Sequence, residues 1–295
     1  MAAPEQATPT GVIHDIGYQR YSGPRLGRGY ATRSLYEHGL RSSFGLGRSA
    51  KAKIFPWLVV GIAGLVAAVL VAIRAQTGAV PLTYDQFPQQ LSLLTIFFCA
   101  IVAPELVSRD LKSGVLPLYF SRPISRTDYA LAKLGALGSA VFLLLAGPLL
   151  LMFIGAAFTL KGGPGKIWDE FVDFLGGAAY CAIYAILFSA IAILVASLIG
   201  RRAVAAGAVV AVFLLTTPVV GVLSVLPSET SRQLAGLASP LTLVGGVGDW
   251  LFGQGAAGED NFGIGTYGPL YGLVTVLLAA ACVLGLLARY RKVAR

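Results

Sequence analysis

The sequence predicts an all-α membrane protein with six transmembrane helices and cytosolic N- and C-termini. Six apolar runs are long enough to cross a hydrocarbon core of roughly 30 Å, which takes about 20 residues. Composition agrees: 56% of the 295 residues are hydrophobic and 13% are charged, where soluble domains carry roughly 25% charged residues. Mean hydropathy is +0.74, so a soluble fold would leave too much apolar surface in water. Charge placement sets the orientation. Nineteen of the 23 Lys and Arg residues fall in residues 1–53, residues 108–133, the Gly200-Arg-Arg202 turn and residues 289–295. The positive-inside rule puts those segments in the cytosol. They also account for the net charge of +9, as basic residues beside anionic lipid. Because they are spread along span ends, they do not form a nucleic-acid patch.

Residues 1–53 read as a cytosolic N-terminal segment. It has no apolar region before a cleavage site, so the first span is expected to act as both signal and anchor. Residues 1–30 are rich in Gly, Pro and Tyr and read as extended. In residues 31–44, Tyr36, Leu40 and Phe44 recur at i, i+4 and i+8, and so do Arg33, Glu37 and Arg41. The latter make two possible i,i+4 pairs. This predicts an interfacial helix lying along the membrane before the first span. A solvated tail with residual helicity is the alternative, and Gly39 favours it.

Residues 54–295 hold the spans: Ile54–Ile73, Gln90–Val107, Leu134–Leu160, Leu175–Ile199, Ala203–Leu226 and Leu270–Ala288. Pro148 predicts a kink in the third, and Thr83-Tyr-Asp-Gln86 reads as a helix N-cap before the second. Glu105 is the one ionised side chain inside these windows. A mid-bilayer charge costs about 2.5–3.5 kcal/mol, so this near-absence is a signal. Cys99, Cys181 and Cys282 lie within apolar runs and read as packing residues. Between the last two spans, the external segment 227–268 holds the apolar, Gly-rich stretch Ala238–Gly253. It is too short to span, and predicts a re-entrant or interfacial element before the sixth helix. Residues 254–265 read as an acidic tip.

Catalytic and cofactor motifs fail on inspection. Gly263-Ile-Gly265-Thr-Tyr-Gly268 has dinucleotide spacing but sits in an external loop, without the strand such a site needs. Gly162-Gly-Pro-Gly-Lys166 lacks the first Gly and the Ser/Thr of a phosphate loop. The chain has no His-Glu-x-x-His and no Gly-x-Ser-x-Gly. Asp169, Glu170 and Asp173 read as the solvated face of a helix rather than a cation site. No catalytic residue, cofactor or metal is expected on this chain.

The linker 108–128 is the most structured-looking polar segment. Leu111, Val115, Leu118 and Tyr119 make an apolar stripe at helical spacing, interrupted by Gly114 and Pro117. Pro123 pushes Arg122 out of helical geometry. Ser125-Arg-Thr-Asp128 then reads as a capping box that starts the third helix. The expected result is a short bent helix with an apolar stripe and cations at Lys112, Arg122 and Arg126. It is either a loop lying on lipid or a docking knob for a soluble partner. Glu105 stands at the end of the second span with Arg109 at i+4, and Lys133 enters the third at similar depth. They read as interfacial ion pairs, either compensating charge or switching with the linker.

Arg109-Asp110, Ser113-Gly114, Ser121-Arg-Pro-Ile-Ser-Arg126, Tyr129 and Lys133 together resemble the linker of ABC transporter permeases of the bacterial type-2 exporter class. The likeness covers roughly residues 31–295, through six spans, cytosolic termini, a helix before the first span and a re-entrant element before the sixth. The family often has Glu where Asp110 stands. The resemblance implies a permease subunit of the cell membrane that works with a separate ABC-type ATPase, which carries ATP and Mg, and with a second, identical or different permease. It implies ATPase coupling through Asp110, Gly114, Arg122, Pro123 and Arg126, with Tyr36 and Leu40 as a second contact. The subunit interface is expected on small-residue stripes: Gly64, Ala68 and Ala72 in the first span, and Ala132, Ala136 and Ala140 in the third. A path without buried charge favours a lipophilic or amphipathic cargo. Two alternatives stand: a membrane anchor or signalling subunit that recruits a soluble partner, and a secondary transporter.

Overall fold

The structure is a computed structural model that describes residues 23, 26–114, 116–121, 123–159, 163–253 and 264–292. These residues form helices and turns, with no strand among them. Six helical stretches are long and apolar enough to cross a membrane: Ala50–Thr77, Ser92–Lys112, Arg126–Thr159, Gly163–Leu198, Arg202–Ser224 and Gly265–Lys292. Each overlaps one of the six expected spans.

The chain begins with α1 (Arg28–Ser43), then the first span α2 (Ala50–Thr77). Gly78, at φ +72°, ends α2 in a left-handed C-cap. A short α3 (Gln86–Gln90) leads into α4 (Ser92–Leu106). Only half of the expected cap forms there. The Thr83 N–H donates to Gln86 Oε1 at 3.3 Å, while the Thr83 hydroxyl is buried without a partner. The linker carries α5 (Ser108–Lys112) and α6 (Leu116–Phe120), followed by α7 (Arg126–Thr159), which is continuous through Pro148. Next come α8 (Gly163–Leu198), α9 (Arg202–Leu214) and α10 (Thr217–Ser224). Within the fifth span the helix turns at Leu215 and Thr216. Pro218 cannot donate to the helix before it and restarts the chain as α10. Then α11 (Glu229–Leu234), a 3₁₀ turn and α12 (Pro240–Phe252) form two pieces meeting at 117°. The sixth span closes with α13 (Gly268–Lys292).

Burial sorts these helices. The second and fourth spans are central, each with 67% of its apolar window buried, against 22% for the fifth and sixth. An aromatic row on α8 explains the centre: Tyr180, Tyr184 and Phe188 stack at i, i+4 and i+8, and Phe188 meets Phe213 of α9 at 4.5 Å between centroids. The outer face of α2 carries exposed Ile54, Trp57, Leu58 and Leu65, the apolar surface a lipid-facing helix presents. The three cysteines are buried and free.

Helix α1 is no solvated tail. It packs along α7, and Gly39 makes that possible: a Cβ there would lie 2.8 Å from the Ala136 Cβ. The residue that favoured a tail is the one that lets the two backbones approach. Ala132, Ala136 and Ala140 are accordingly buried inside the chain. This corrects the expectation of a subunit interface on the Ala132, Ala136 and Ala140 stripe of the third span, because that stripe is already buried within the chain. Ala68 and Ala72 on α2 remain exposed.

Candidate functional site

The linker, α1, the α8–α9 turn and the last turn of α13 meet at one end of the bundle. One buried carboxylate, one half-buried carboxylate and one helix cap hold them together.

The cap forms as the spacing predicts. The Asp128 N–H donates to Ser125 Oγ at 3.1 Å, and the Ser125 N–H returns to Asp128 Oδ2 at 3.0 Å. Sequence gave no hint of its third member. Arg28, at the start of α1, donates to both Asp128 oxygens, at 2.6 and 2.7 Å. That bond and the charge of Asp128 push the guanidinium above its usual range.

Asp110 of α5 faces inward. Its Oδ2 accepts from Tyr129 Oη at 2.7 Å and lies 2.9 Å from Lys133 Nζ. Lys133 therefore pairs with Asp110 rather than Glu105. The Tyr129 ring is a hub: Tyr290 of α13 lies at 5.2 Å, Tyr119 at 5.6 Å and Phe120 at 6.2 Å. Arg126 Nη1 donates to the Arg291 carbonyl at 3.0 Å, and its guanidinium lies over the Phe120 ring.

Glu105 is the second carboxylate, with its side chain 5% exposed. Its Oε1 meets Arg48 at 2.5 Å and Arg109 at 3.1 Å. Arg202 reaches Oε2 at 2.7 Å as an ion pair without an aligned hydrogen bond. The i,i+4 spacing found Arg109. Arg48 and Arg202 come from distant sequence and carried no signal beyond lying in basic, span-flanking segments. Ser108 Oγ completes the seam by donating to the Ala196 carbonyl at 2.9 Å.

The apolar stripe on the linker divides: Leu111 and Tyr119 pack against the core, while Leu118 turns outward. Gly114, at φ +65°, resets the helical phase between α5 and α6. Leu116 is buried instead, and Leu118 stands 68% exposed. Of the residues assigned to coupling, Gly114 and Pro123 lie on the surface, while Asp110 and Arg126 hold internal contacts. Tyr36 donates to Ser139 Oγ at 2.9 Å, and Leu40 packs on the core, so both face the bundle. Arg122 and Val115 lie outside the described residues.

No group of three or more His, Cys, Asp or Glu that could hold a metal occurs among the described residues. Ion pairs and aromatic rings tie these four segments into one block around an exposed turn at Gly114 and Pro123. No protein-family model matches the sequence, and no curated protein matches it.

Proposed function

We propose that this chain is the membrane-spanning permease subunit of an ATP-driven exporter of the ABC type-2 class, working with a separate ATPase and a second permease. One observation carries the reading. The linker shows Gly114, Leu118 and Pro123 outward, while Asp110 and Arg126 fasten it from behind to α7 and α13. An external push on the turn is passed on through Asp110–Lys133 to the third span. Arg126–Arg291 and the Tyr129–Tyr290 contact carry it to the sixth. The Arg28–Asp128 bridge joins α1 to the same block. A polar turn needed only to reverse the chain requires none of these ties.

On this reading the basic end of the bundle is cytosolic, in accord with the positive-inside rule. The bent pair α11–α12 is a re-entrant element on the opposite face, covered by α8 and α13. The partner's ATP and Mg supply the driving reaction, and this chain converts closure of the ATPases into movement of its third and sixth spans.

The test is isolation of the chain in mild detergent, followed by reconstitution with whatever copurifies. A P-loop ATPase in the complex, with hydrolysis stimulated by cargo in liposomes, is the expected result. Arg126→Glu combined with Gly114→Trp is expected to abolish assembly or turnover. An ATPase that copurifies without stimulated hydrolysis points instead to an anchor or signalling subunit. Transport without any ATPase points to a secondary transporter.

A further inference from the structure

The end of the bundle opposite the linker holds a cavity of about 420 Å³, within the roughly 300–1,000 Å³ of small-molecule sites. Val71, Met152 and Phe252 give it apolar walls, and Arg74, Asp85, Glu170 and Asp173 bring charge to it. We propose that this cavity binds an organic cation with an apolar body.

Charge bookkeeping leads there. Arg74 is fully engaged, since its two terminal nitrogens donate to the two Glu170 oxygens at 2.6 and 2.7 Å. Tyr84 donates to the same carboxylate at 2.6 Å. Burial, and then this bond, push the Tyr84 phenol up, so it remains a donor. Arg74 and Glu170 thus cancel.

Asp85 and Asp173 are left. Asp85 is 7% exposed and caps α3 without a side-chain hydrogen bond. Among the described residues no side chain donates to its carboxylate and no cation pairs with it. The Thr83 hydroxyl, also on the cavity wall, is buried without a partner. Asp173 adds a second negative charge at an exposed position. A buried carboxylate without a counter-charge is costly, and a bound cation supplies what the fold does not. An anion would meet two negative charges. A neutral apolar molecule would leave Asp85 unpaired. A bare metal ion finds no ligand set among the described residues, and the apolar walls offer nothing to replace its water.

As a cargo class this inference rests on the exporter reading; as a binding site it stands without it. The test uses the purified full chain in neutral detergent and a pair of ions matched in shape and opposite in charge, tetraphenylphosphonium and tetraphenylborate, followed by equilibrium dialysis. Saturable binding of the phosphonium alone is expected. Asp173→Asn, at an exposed position, should weaken it about threefold, as loss of one exposed charge partner does. Asp85→Asn should weaken it about tenfold or more, since that charge is buried. If Asp85→Asn fails to fold, Asp173→Lys decides, and it should abolish saturation. Equal binding of the two ions, or phosphonium affinity unchanged by the Asp173 variants, overturns the proposal. Neither outcome depends on capturing an ATPase, so this site and the exporter reading fail separately.

Discussion

Lys133 Nζ lies 2.9 Å from Asp110 Oδ2, with side-chain exposures of 5% and 14%. This contact fastens the linker to the third span. Removing one partner of a buried pair leaves the other charge uncompensated, at about 3–5 kcal/mol, whereas replacing both is close to neutral. Lys133→Met and Asp110→Asn are each expected to lower the unfolding temperature in detergent. The double variant should recover most of the loss, giving a coupling energy well above the scatter of additive pairs. Two losses that simply add would show that the pair is not the fastening.

Gly39 sets the distance between α1 and α7. Alanine is the better helix former by about 1 kcal/mol, yet its Cβ would sit 2.8 Å from the Ala136 Cβ. Overpacking of that kind costs about 1–3 kcal/mol. Gly39→Ala should speed amide hydrogen exchange across residues 28–43, and Ala136→Gly in the same chain should restore protection. Exchange that slows in Gly39→Ala would mean that propensity outweighs packing there.

The three arginines around Glu105 differ in exposure: 27% for Arg48, 64% for Arg109 and 58% for Arg202. Solvent-screened pairs are worth about 0–1 kcal/mol, so Arg48→Met should destabilise more than Arg109→Met or Arg202→Met. Glu105→Gln should exceed all three, since it leaves three cations facing one another. Thermal denaturation of the four variants gives the ranking directly.

Much of this was legible in the sequence, and the exceptions have a common cause. The spans were readable because hydrophobicity and length are local properties. The Ser125–Asp128 cap and the Glu105–Arg109 pair were readable because their partners lie three and four residues apart. Arg28–Asp128, Arg48–Glu105, Arg202–Glu105 and Lys133–Asp110 join residues that only packing brings together, so spacing carries no trace of them. The linker stripe divided for a different reason: spacing shows that Gly114 interrupts it, but not that its positive φ turns Leu118 outward while Leu111 and Tyr119 pack on the core. Gly39 shows the opposite error, since a weak helix former is favourable where a second helix must come close.

Leu118 is the most exposed apolar side chain described on the linker, at 68%, and Val225, at 82% exposed, stands at the far end of the fifth span. A photoreactive amino acid placed at each, in membranes of cells that naturally make the chain, tests directly whether the linker is where an ATPase engages. The account predicts an adduct between position 118 and a P-loop ATPase, and none from position 225. An ATPase adduct equal at both positions, or absent from 118 while the chain is folded and inserted, would contradict it.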